Sequence, residues 1–352
     1  MEKVETKMRE ASVQRLRAAM IGCGAIAELG HLPGAQSSNL VDITVLVDPD
    51  LERARAMCKK FGIAEARSSI SEIGNLADMA IVAVPHKVHA EVTIDLLQRG
   101  LHVLIEKPLA VTSEEGRRML AAANAASRVL GIAMARRFSA GNAYAKKVVD
   151  SGIFGTPRSF RFEEGGIYSW PSRVPFLLEK DAGSGVLIGS GSHMFDLVLW
   201  TFGPIADVKC FSDSNTKQEV DALVELKTVS GVNGIIELSR SRQLSNSTSI
   251  VFDTAILHIP AFGPGLRLES KDGTFSLIGD PKINDREVVG DADLAQMMAA
   301  QLDDFAEAVA MKRDPMASAI SGIQCIELVE KCYENRQDLI SSWERPIAVV
   351  AQ

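Results

Sequence analysis

Apolar residues fall into short unbroken runs in the first third of the chain and change rhythm afterwards. Arg17–Ile21, Val41–Val47, Met79–Val84, Leu101–Ile105 and Leu130–Ala135 have the character of strands covered on both faces, as in a parallel sheet. Between them lie stretches at helical spacing, Asp50–Phe61 and Val88–Arg99. A further helix opens at Thr112-Ser113-Glu114-Glu115, where a Thr cap and a Glu three residues on form a capping box. Strands alternating with helices predict βαβ units and a doubly wound parallel α/β sheet over residues 17–137. Residues 1–16 mix charges and read as a polar tail or a loose helix. After residue 137 a helix, Asn142–Asp150, leads into alternating runs at Val220–Thr228 and Gly234–Ser239 and several pieces between Ser249 and Leu277. Leu294–Met311 and Ala317–Glu334 return to helical spacing. Residues 138–352 are therefore expected to form one α+β domain on a large, mostly antiparallel open sheet.

Composition narrows the class. The chain has 352 residues, enough for two domains, and a net charge of −7. No basic stripe breaks the mild acidity, which argues against nucleic acid. Five scattered cysteines without a CxxC pair fit free thiols in a reducing compartment, the cytoplasm. No apolar run approaches the roughly 20 residues that cross a bilayer, so no membrane partner is expected. The first residues lack the apolar stretch of a secretory signal. No His, Cys, Asp and Glu spacing suggests a metal.

Gly22-Cys23-Gly24-Ala25-Ile26-Ala27 directly follows the first strand and opens a helix. In this GxGxxA pattern Gly22 makes the turn, Gly24 lets backbone approach a pyrophosphate, and Ala27 lets helix and strand pack closely. Amides of the helix start, Ala25 and Ile26, face the phosphate charge. Asp48, at the end of the second strand, stands where a carboxylate binds both ribose hydroxyls and repels a 2′-phosphate, which favours NAD with NADP possible. Asp48 also precedes Pro49, so the pair reads equally as a helix cap with proline at N1. The two roles are compatible.

The fifth strand runs into Glu106-Lys107-Pro108, at the strand end that lines the ligand crevice. A lysine beside a cationic nicotinamide would have its pKa pushed down and could exchange protons. The bland reading is an ion pair at a loop entrance. The glycine motif, Val84-Pro85-His86, His89, Gly100 to Pro108, Arg136-Arg137-Phe138, Asp150 to Gly155 and a glycine-rich stretch ending at His193 together resemble the Gfo/Idh/MocA family. The resemblance runs from about Arg17 to the last helices and weakens between residues 200 and 290. It implies a Rossmann domain followed by a mostly antiparallel sheet domain, through which members form homo-oligomers such as dimers or tetramers. It also implies hydride transfer between NAD(P) and a hydroxyl-bearing carbon of a sugar, cyclitol or related polyol. Under it, Gly22, Gly24, Ala25, Ile26, Asp48, Val84, Pro85, His86, His89, Glu106, Lys107 and Arg137 would meet the cofactor. Arg137 reads alternatively as a junction ion pair.

The resemblance places the catalytic groups at Lys107 and His193. Many members carry an aspartate four residues before that histidine; here the position is Gly189. Lys107 and His193 could suffice, Asp196 could orient the imidazole from one helical turn away, or the vacated space could admit a bulkier substrate. The alternative for His193 is a helix start capped by Ser190 or Ser192. Tyr168, Trp170 and Arg173 fall where relatives line the substrate pocket, with Lys107 and His193. They could equally be a loop packed on its own domain. The leading expectation is an NAD-dependent dehydrogenase or reductase acting on a small carbohydrate-like molecule. A redox-neutral NAD-dependent glycosidase and a non-catalytic NAD-binding sensor stand beside it.

Overall fold

A computed structural model describes residues 15–167, 185–214, 218–261, 265–279 and 294–339. The chain divides into two compact units. In the first, strands β1 (Leu16–Ile21), β2 (Val41–Val47), β3 (Glu65–Arg67), β4 (Met79–Val82), β5 (His102–Glu106) and β6 (Leu130–Ala133) make one sheet in the order β3-β2-β1-β4-β5-β6. Every neighbouring pair is parallel. The order reverses between β1 and β4, which makes the carboxyl ends of these strands a ligand crevice.

The helices start and stop where their residues dictate. A π-helical turn, Ala27–His31, continues into α1 (Leu32–Ser37). Helix α2 (Leu51–Phe61) is capped by Asp50, whose carboxylate accepts the Arg53 N–H at 3.1 Å, and it ends on Gly62 at φ 72°. The cap is thus Asp50 and not Asp48. Helix α3 is His89–Gln98 and α4 is Ser113–Ala126. At the start of α4, Thr112 accepts the Glu115 N–H at 3.2 Å, while the Glu115 carboxylate reaches back to the Val111 N–H at 3.0 Å. The predicted box is present with its return bond shifted one residue outward.

The second unit contains α5 (Ala140–Ser151), β7 (Ser159–Gly165), α6 (Val186–Gly189) and α7 (Gly191–Phe202). Its further strands are β8 (Ile205–Ser212), β9 (Asp221–Thr228), β10 (Asn233–Ser239), β11 (Ser247–Val251), β12 (Ala255–Pro260), β13 (Leu266–Ser270), β14 (Ser276–Gly279) and β15 (Arg336–Asp338). Among the described residues the sheet has nine strands in the order β14-β13-β12-β11-β7-β10-β9-β8-β15. It is antiparallel except where β7 pairs β10 and β8 pairs β15. Burial alternates along β9, β10 and β12, so one face is covered. At its centre Gly234 pairs with Phe160, and a Cβ on Gly234 would fall within the Phe160 ring. That ring stacks on Phe202 of α7, with centroids 4.4 Å apart.

Helix α8 (Leu294–Met311) lies far along the chain but belongs to the first unit, as do residues up to Ile326. Its Leu302, Phe305 and Ala306 join Met20, Leu32, Leu46, Ile81 and Leu104 in one core. Burying each large apolar side chain here is worth about 1.5–3 kcal/mol. A Cβ on Gly34 of α1 would overlap Met298, so the two helices touch through bare backbone. This departs from the expected single domain over 138–352. An amphipathic pattern reports that a helix buries a face, not which sheet receives it. Helix α9 (Ala319–Glu334) begins among the residues of the first unit and ends among those of the second.

Candidate active site

The glycine turn is held from three sides. Gly22 sits at φ 94°, and a Cβ there would overlap the Ala83 carbonyl oxygen beyond β4. Its N–H bonds the Val47 carbonyl at 2.8 Å. A Cβ on Gly24 would meet no atom within 4 Å. Gly22 is thus a glycine because the protein is close, and Gly24 borders open space. Ala25 and Ile26 are partly exposed at the helix start, where first-turn N–H groups have no acceptor within the helix. Bare backbone, open space and a helix start fit a dinucleotide pyrophosphate. The Cys23 thiol inside the turn is pushed up to about 12 by burial and by the Asp48 charge, so it is not a nucleophile.

Asp48 is 5% exposed. Its Oδ2 accepts the Cys23 N–H at 2.8 Å and its Oδ1 the Asp50 N–H at 2.9 Å. The carboxylate therefore locks the glycine turn to the end of β2. Arg53 stands 3.6 Å from Oδ1.

At the end of β5, Glu106 is nearly buried and its Oε1 accepts from Nε2 of fully buried His31 at 2.7 Å. Its Oε2 accepts the Lys107 N–H at 3.1 Å. Burial pushes the Glu106 carboxyl up. The hydrogen bond and charge of His31, with the Lys107 charge and amide, outweigh that and hold it below the ordinary carboxylate range. Glu106 is thus an ionised anchor for the loop carrying Lys107, which is itself half-buried.

His89 lies on the other side of that loop and is fully buried. Its Nδ1 faces the Pro108 carbonyl at 2.8 Å and its Nε2 the Val84 carbonyl at 2.9 Å. Its polar atoms serve the backbone, so it ties the loop after β4 to the loop after β5 and presents no nitrogen to a cofactor. Two carbonyl acceptors favour a doubly protonated ring, yet burial pulls the pKa of His89 down against those bonds. In so enclosed a site the desolvation cost dominates, and the pKa lies below that of an exposed histidine. Pro85 is exposed and His86 half-buried. The His86 ring meets His89 edge to face, with centroids 5.2 Å apart. Burial, then the charges of His89 and Lys107, pull the His86 pKa down to about 3. Arg137 is 4% exposed and donates to the Met316 carbonyl within its own unit. That bond goes to backbone and is not an ion pair.

In the second unit His193 lies on the first turn of α7. Gly185 caps α6, and Ser190, at φ −73° and ψ −36°, passes the helical path from α6 into α7. Ser190 holds the N-cap position of α7 but its side chain makes no capping bond, while Ser192 Oγ donates to the Gly189 carbonyl at 3.0 Å and the His193 N–H bonds the Ser190 carbonyl at 3.1 Å. Asp196 lies one turn on and is 1% exposed. The space beside Gly189 is not vacant: a Cβ there would overlap the Arg240 guanidinium. The expectation of room for a bulkier substrate at Gly189 is corrected on that ground. Tyr168, Trp170 and Arg173 lie outside the described residues. Lys107 and His193 belong to different units.

Sequence reasoning missed His31, Asp50, Glu219 and Arg240. His31 stands four residues beyond Ala27, one turn along the helix that the glycine motif opens, and that spacing was a usable signal. Nothing local pointed to Arg240, which meets Gly189 only through the sheet.

Residues 16–134 match the model of the oxidoreductase family with an NAD-binding Rossmann fold, and residues 142–258 match the GFO/IDH/MocA C-terminal domain. D-glucoside 3-dehydrogenase of Escherichia coli is 29% identical over 195 residues, 53% of this chain and 54% of that protein. D-apiose dehydrogenase of Paraburkholderia graminis is 26% identical over 285 residues, 77% of this chain and 74% of that one. The match to the E. coli enzyme thus spans about half of that protein's length. Among solved structures, aldose-aldose oxidoreductase from Caulobacter crescentus superposes with a TM-score of 0.81 at 21% identity, covering 92% of this chain and 97% of that one. An Agrobacterium radiobacter oxidoreductase, solved with NAD+, L-tartaric acid and magnesium, gives 0.80 at 19%, covering 92% and 96%. With an NAD-binding first domain and the matching second domain, the chain belongs to the Gfo/Idh/MocA oxidoreductase family.

Proposed function

We propose that this protein is an NAD-dependent dehydrogenase or reductase acting between a secondary hydroxyl and a keto carbon of a sugar, cyclitol or sugar derivative. The observation that carries the reading is the anchored Glu106-Lys107-Pro108 loop at the carboxyl end of β5, in the same parallel sheet as the glycine turn. When bound, the nicotinamide supplies or accepts the hydride. The chain's own residues do the rest. Gly22 and Asp48 hold the turn that receives the pyrophosphate, and the amides of Ala25 and Ile26 meet its charge. Lys107 Nζ takes the proton from the substrate hydroxyl on oxidation and returns it on reduction. The amide and carbonyl on either side of the Lys107–Pro108 pair are tied to Glu106 and His89, so little ordering of the loop remains to be done on binding. His193 is taken as the second proton-transfer residue. The Asp48 carboxylate disfavours a 2′-phosphate, which supports NAD over NADP.

The names of the relatives, D-glucoside 3-dehydrogenase and D-apiose dehydrogenase, support the substrate class. The outer sheet face carries partly exposed Leu223, Ile235, Val251 and Ile256 among ion pairs such as Arg161–Glu237. We take that face as the surface of a homo-oligomer, to be checked by light scattering. The five free thiols fit the cytoplasm. The deciding experiment follows absorbance at 340 nm while the protein and NAD are offered sugars, cyclitols, sugar acids and glycosides. NADH growth on a polyol, lost by roughly 10²–10⁴ in Lys107→Ala and His193→Ala, is expected. Glycoside cleavage without NADH growth, or variants within threefold of the parent, overturns the reading.

A further inference from the structure

Gly185 and Gly189 flank the short helix that leads to His193, and neither is a glycine for the sake of its own backbone. Gly185 is at φ −62°, and Gly189 has no left-handed dihedral. Each makes room for a side chain from the sheet. A Cβ on Gly185 would overlap the Glu219 carboxyl, and a Cβ on Gly189 would overlap the Arg240 guanidinium.

The two sheet residues are neighbours with different duties. Glu219 precedes β9 and Arg240 follows β10, and the Arg240 N–H bonds the Val220 carbonyl at 2.9 Å. Glu219 is 1% exposed and acts as the anchor of the helix start. Its Oε1 accepts the Leu187 N–H at 2.9 Å and the Tyr333 hydroxyl at 3.1 Å, and its backbone carbonyl accepts the Val186 N–H at 2.9 Å. Burial pushes its carboxyl up, against those bonds and the Arg240 charge. Arg240 donates to the Gly185 carbonyl at 3.4 Å, and unlike Glu219 it is partly exposed. Its guanidinium lies at the side-chain position of Gly189. Residues four apart on a continuous helix share a face at about 5–6 Å between Cβ positions, so this cation stands one turn from His193 on the face that carries the imidazole.

We infer that Arg240 is a specificity-determining residue and that the substrate of this site bears a carboxylate close to its reacting carbinol. The substrate is then a sugar acid or another polyhydroxy carboxylate. A guanidinium matches a carboxylate with two parallel N–H bonds, a geometry that a neutral hydroxyl cannot reproduce. The carboxylate would lie at Arg240 while His193 meets a hydroxyl on a nearby carbon. This inference rests on the dehydrogenase reading for the reaction, but its binding test does not need turnover.

Binding to the NADH-loaded full-length protein is measured by calorimetry for D-gluconate and D-glucuronate against sorbitol and D-glucose, in the parent, Arg240→Gln and Arg240→Lys. The carboxylates are expected to bind the parent on the order of 10- to 100-fold more tightly than their neutral counterparts, the span of a hydrogen bond to a charged group. Arg240→Gln should erase that preference and leave neutral ligands within threefold. Arg240→Lys should recover only part of it, because the charge returns without the fork. Equal parental affinity for both classes, absence of carboxylate binding, or equal weakening of both classes in Arg240→Gln overturns the inference. Should Arg240→Gln not fold, the parental comparison and Arg240→Lys still decide. Carboxylate-selective binding without NADH growth on any compound would sink the dehydrogenase reading and leave this one standing. NADH growth on neutral sugars alone would do the reverse.

Discussion

Removing the His31 imidazole tests whether Glu106 is the ionised anchor of the Lys107 loop. His31→Leu keeps the volume of a fully buried side chain but withdraws the partner 2.7 Å from Glu106 Oε1. Breaking a buried pair by removing one member costs about 3–5 kcal/mol, because the remaining charge is uncompensated. Oε2 keeps its bond from the Lys107 amide, which places the expected loss at the lower end, about 3 kcal/mol. The pH dependence is the sharper readout. In the parent the folded pKa of Glu106 is depressed. Its contribution is therefore full above the unfolded value of about 4.3 and is lost as pH falls through the lower folded value. In His31→Leu the burial that already pushes this carboxyl up has lost its main opponent, so the folded pKa rises above the unfolded one. The penalty is then largest at neutral pH and fades as acid neutralises the carboxyl. Denaturant unfolding followed by circular dichroism should give a difference near 3 kcal/mol at pH 7, narrowing steadily towards pH 4. The double variant His31→Leu with Glu106→Gln should recover part of the loss. A difference below about 1 kcal/mol at pH 7, the range of an ordinary exposed pair, or one that stays flat with pH, refutes the reasoning.

Other expectations follow from single contacts. Gly22→Ala combines a left-handed residue, worth about 1–2 kcal/mol, with overlap on the Ala83 carbonyl, and fluorescence titration should show NADH binding reduced at least tenfold. Asp48→Ala strands the buried Cys23 amide and the part-buried Asp50 amide at about 1–3 kcal/mol each, and should weaken NAD more than NADP because the repulsion of a 2′-phosphate goes with the carboxylate. An unchanged NAD-to-NADP affinity ratio would show that the carboxylate serves only the turn. His86, with its pKa near 3 against about 6.5 unfolded, is protonated preferentially in the unfolded chain. The parent should therefore lose stability as pH falls below about 6.5, and His86→Gln should lessen that slope in acid denaturation. Gly189→Ala need only displace the tip of the flexible Arg240 side chain and should lower the melting temperature less than Gly62→Ala, where the left-handed φ strains any L side chain although a Cβ meets nothing.

Five strands of the parallel sheet were legible because they stand out as apolar runs, bounded by residues of fixed habit such as Gly22, Pro108 and Thr112, whereas the half-buried edge strand β3, Glu65-Ala66-Arg67, has no such run and was missed. The glycine turn was legible for the same reason: Gly22 has a steric demand that no other residue meets. The role of Asp48 was only half visible, since its burial and its bond to the Cys23 amide arise from the approach of β1 and β2. The cap belongs to Asp50 because the chain takes two residues beyond β2 to enter the helix. Gly189 looked like a gap because the sequence shows a missing side chain without showing what fills the space. Arg240 fills it from 51 residues away, as counted between the two positions, through a sheet register that no local pattern encodes. The affiliation of α8 was hidden for the same reason.

The place of α8 sets a schedule for synthesis. Phe305 and Leu302 complete the core around Met20 and Leu46, yet the ribosome delivers them after every strand from β7 to β14. A nascent chain that has reached residue 139 holds all six strands of the first sheet and still lacks the helix against which Gly30 and Gly34 pack. The second sheet waits as well, because β7 must be flanked by β10 and β11, more than 60 residues later. Pairings of such separation are slow to close and leave apolar surface uncovered meanwhile. The order of the genetic message thus makes the final third of the chain the step that closes the nucleotide-binding unit.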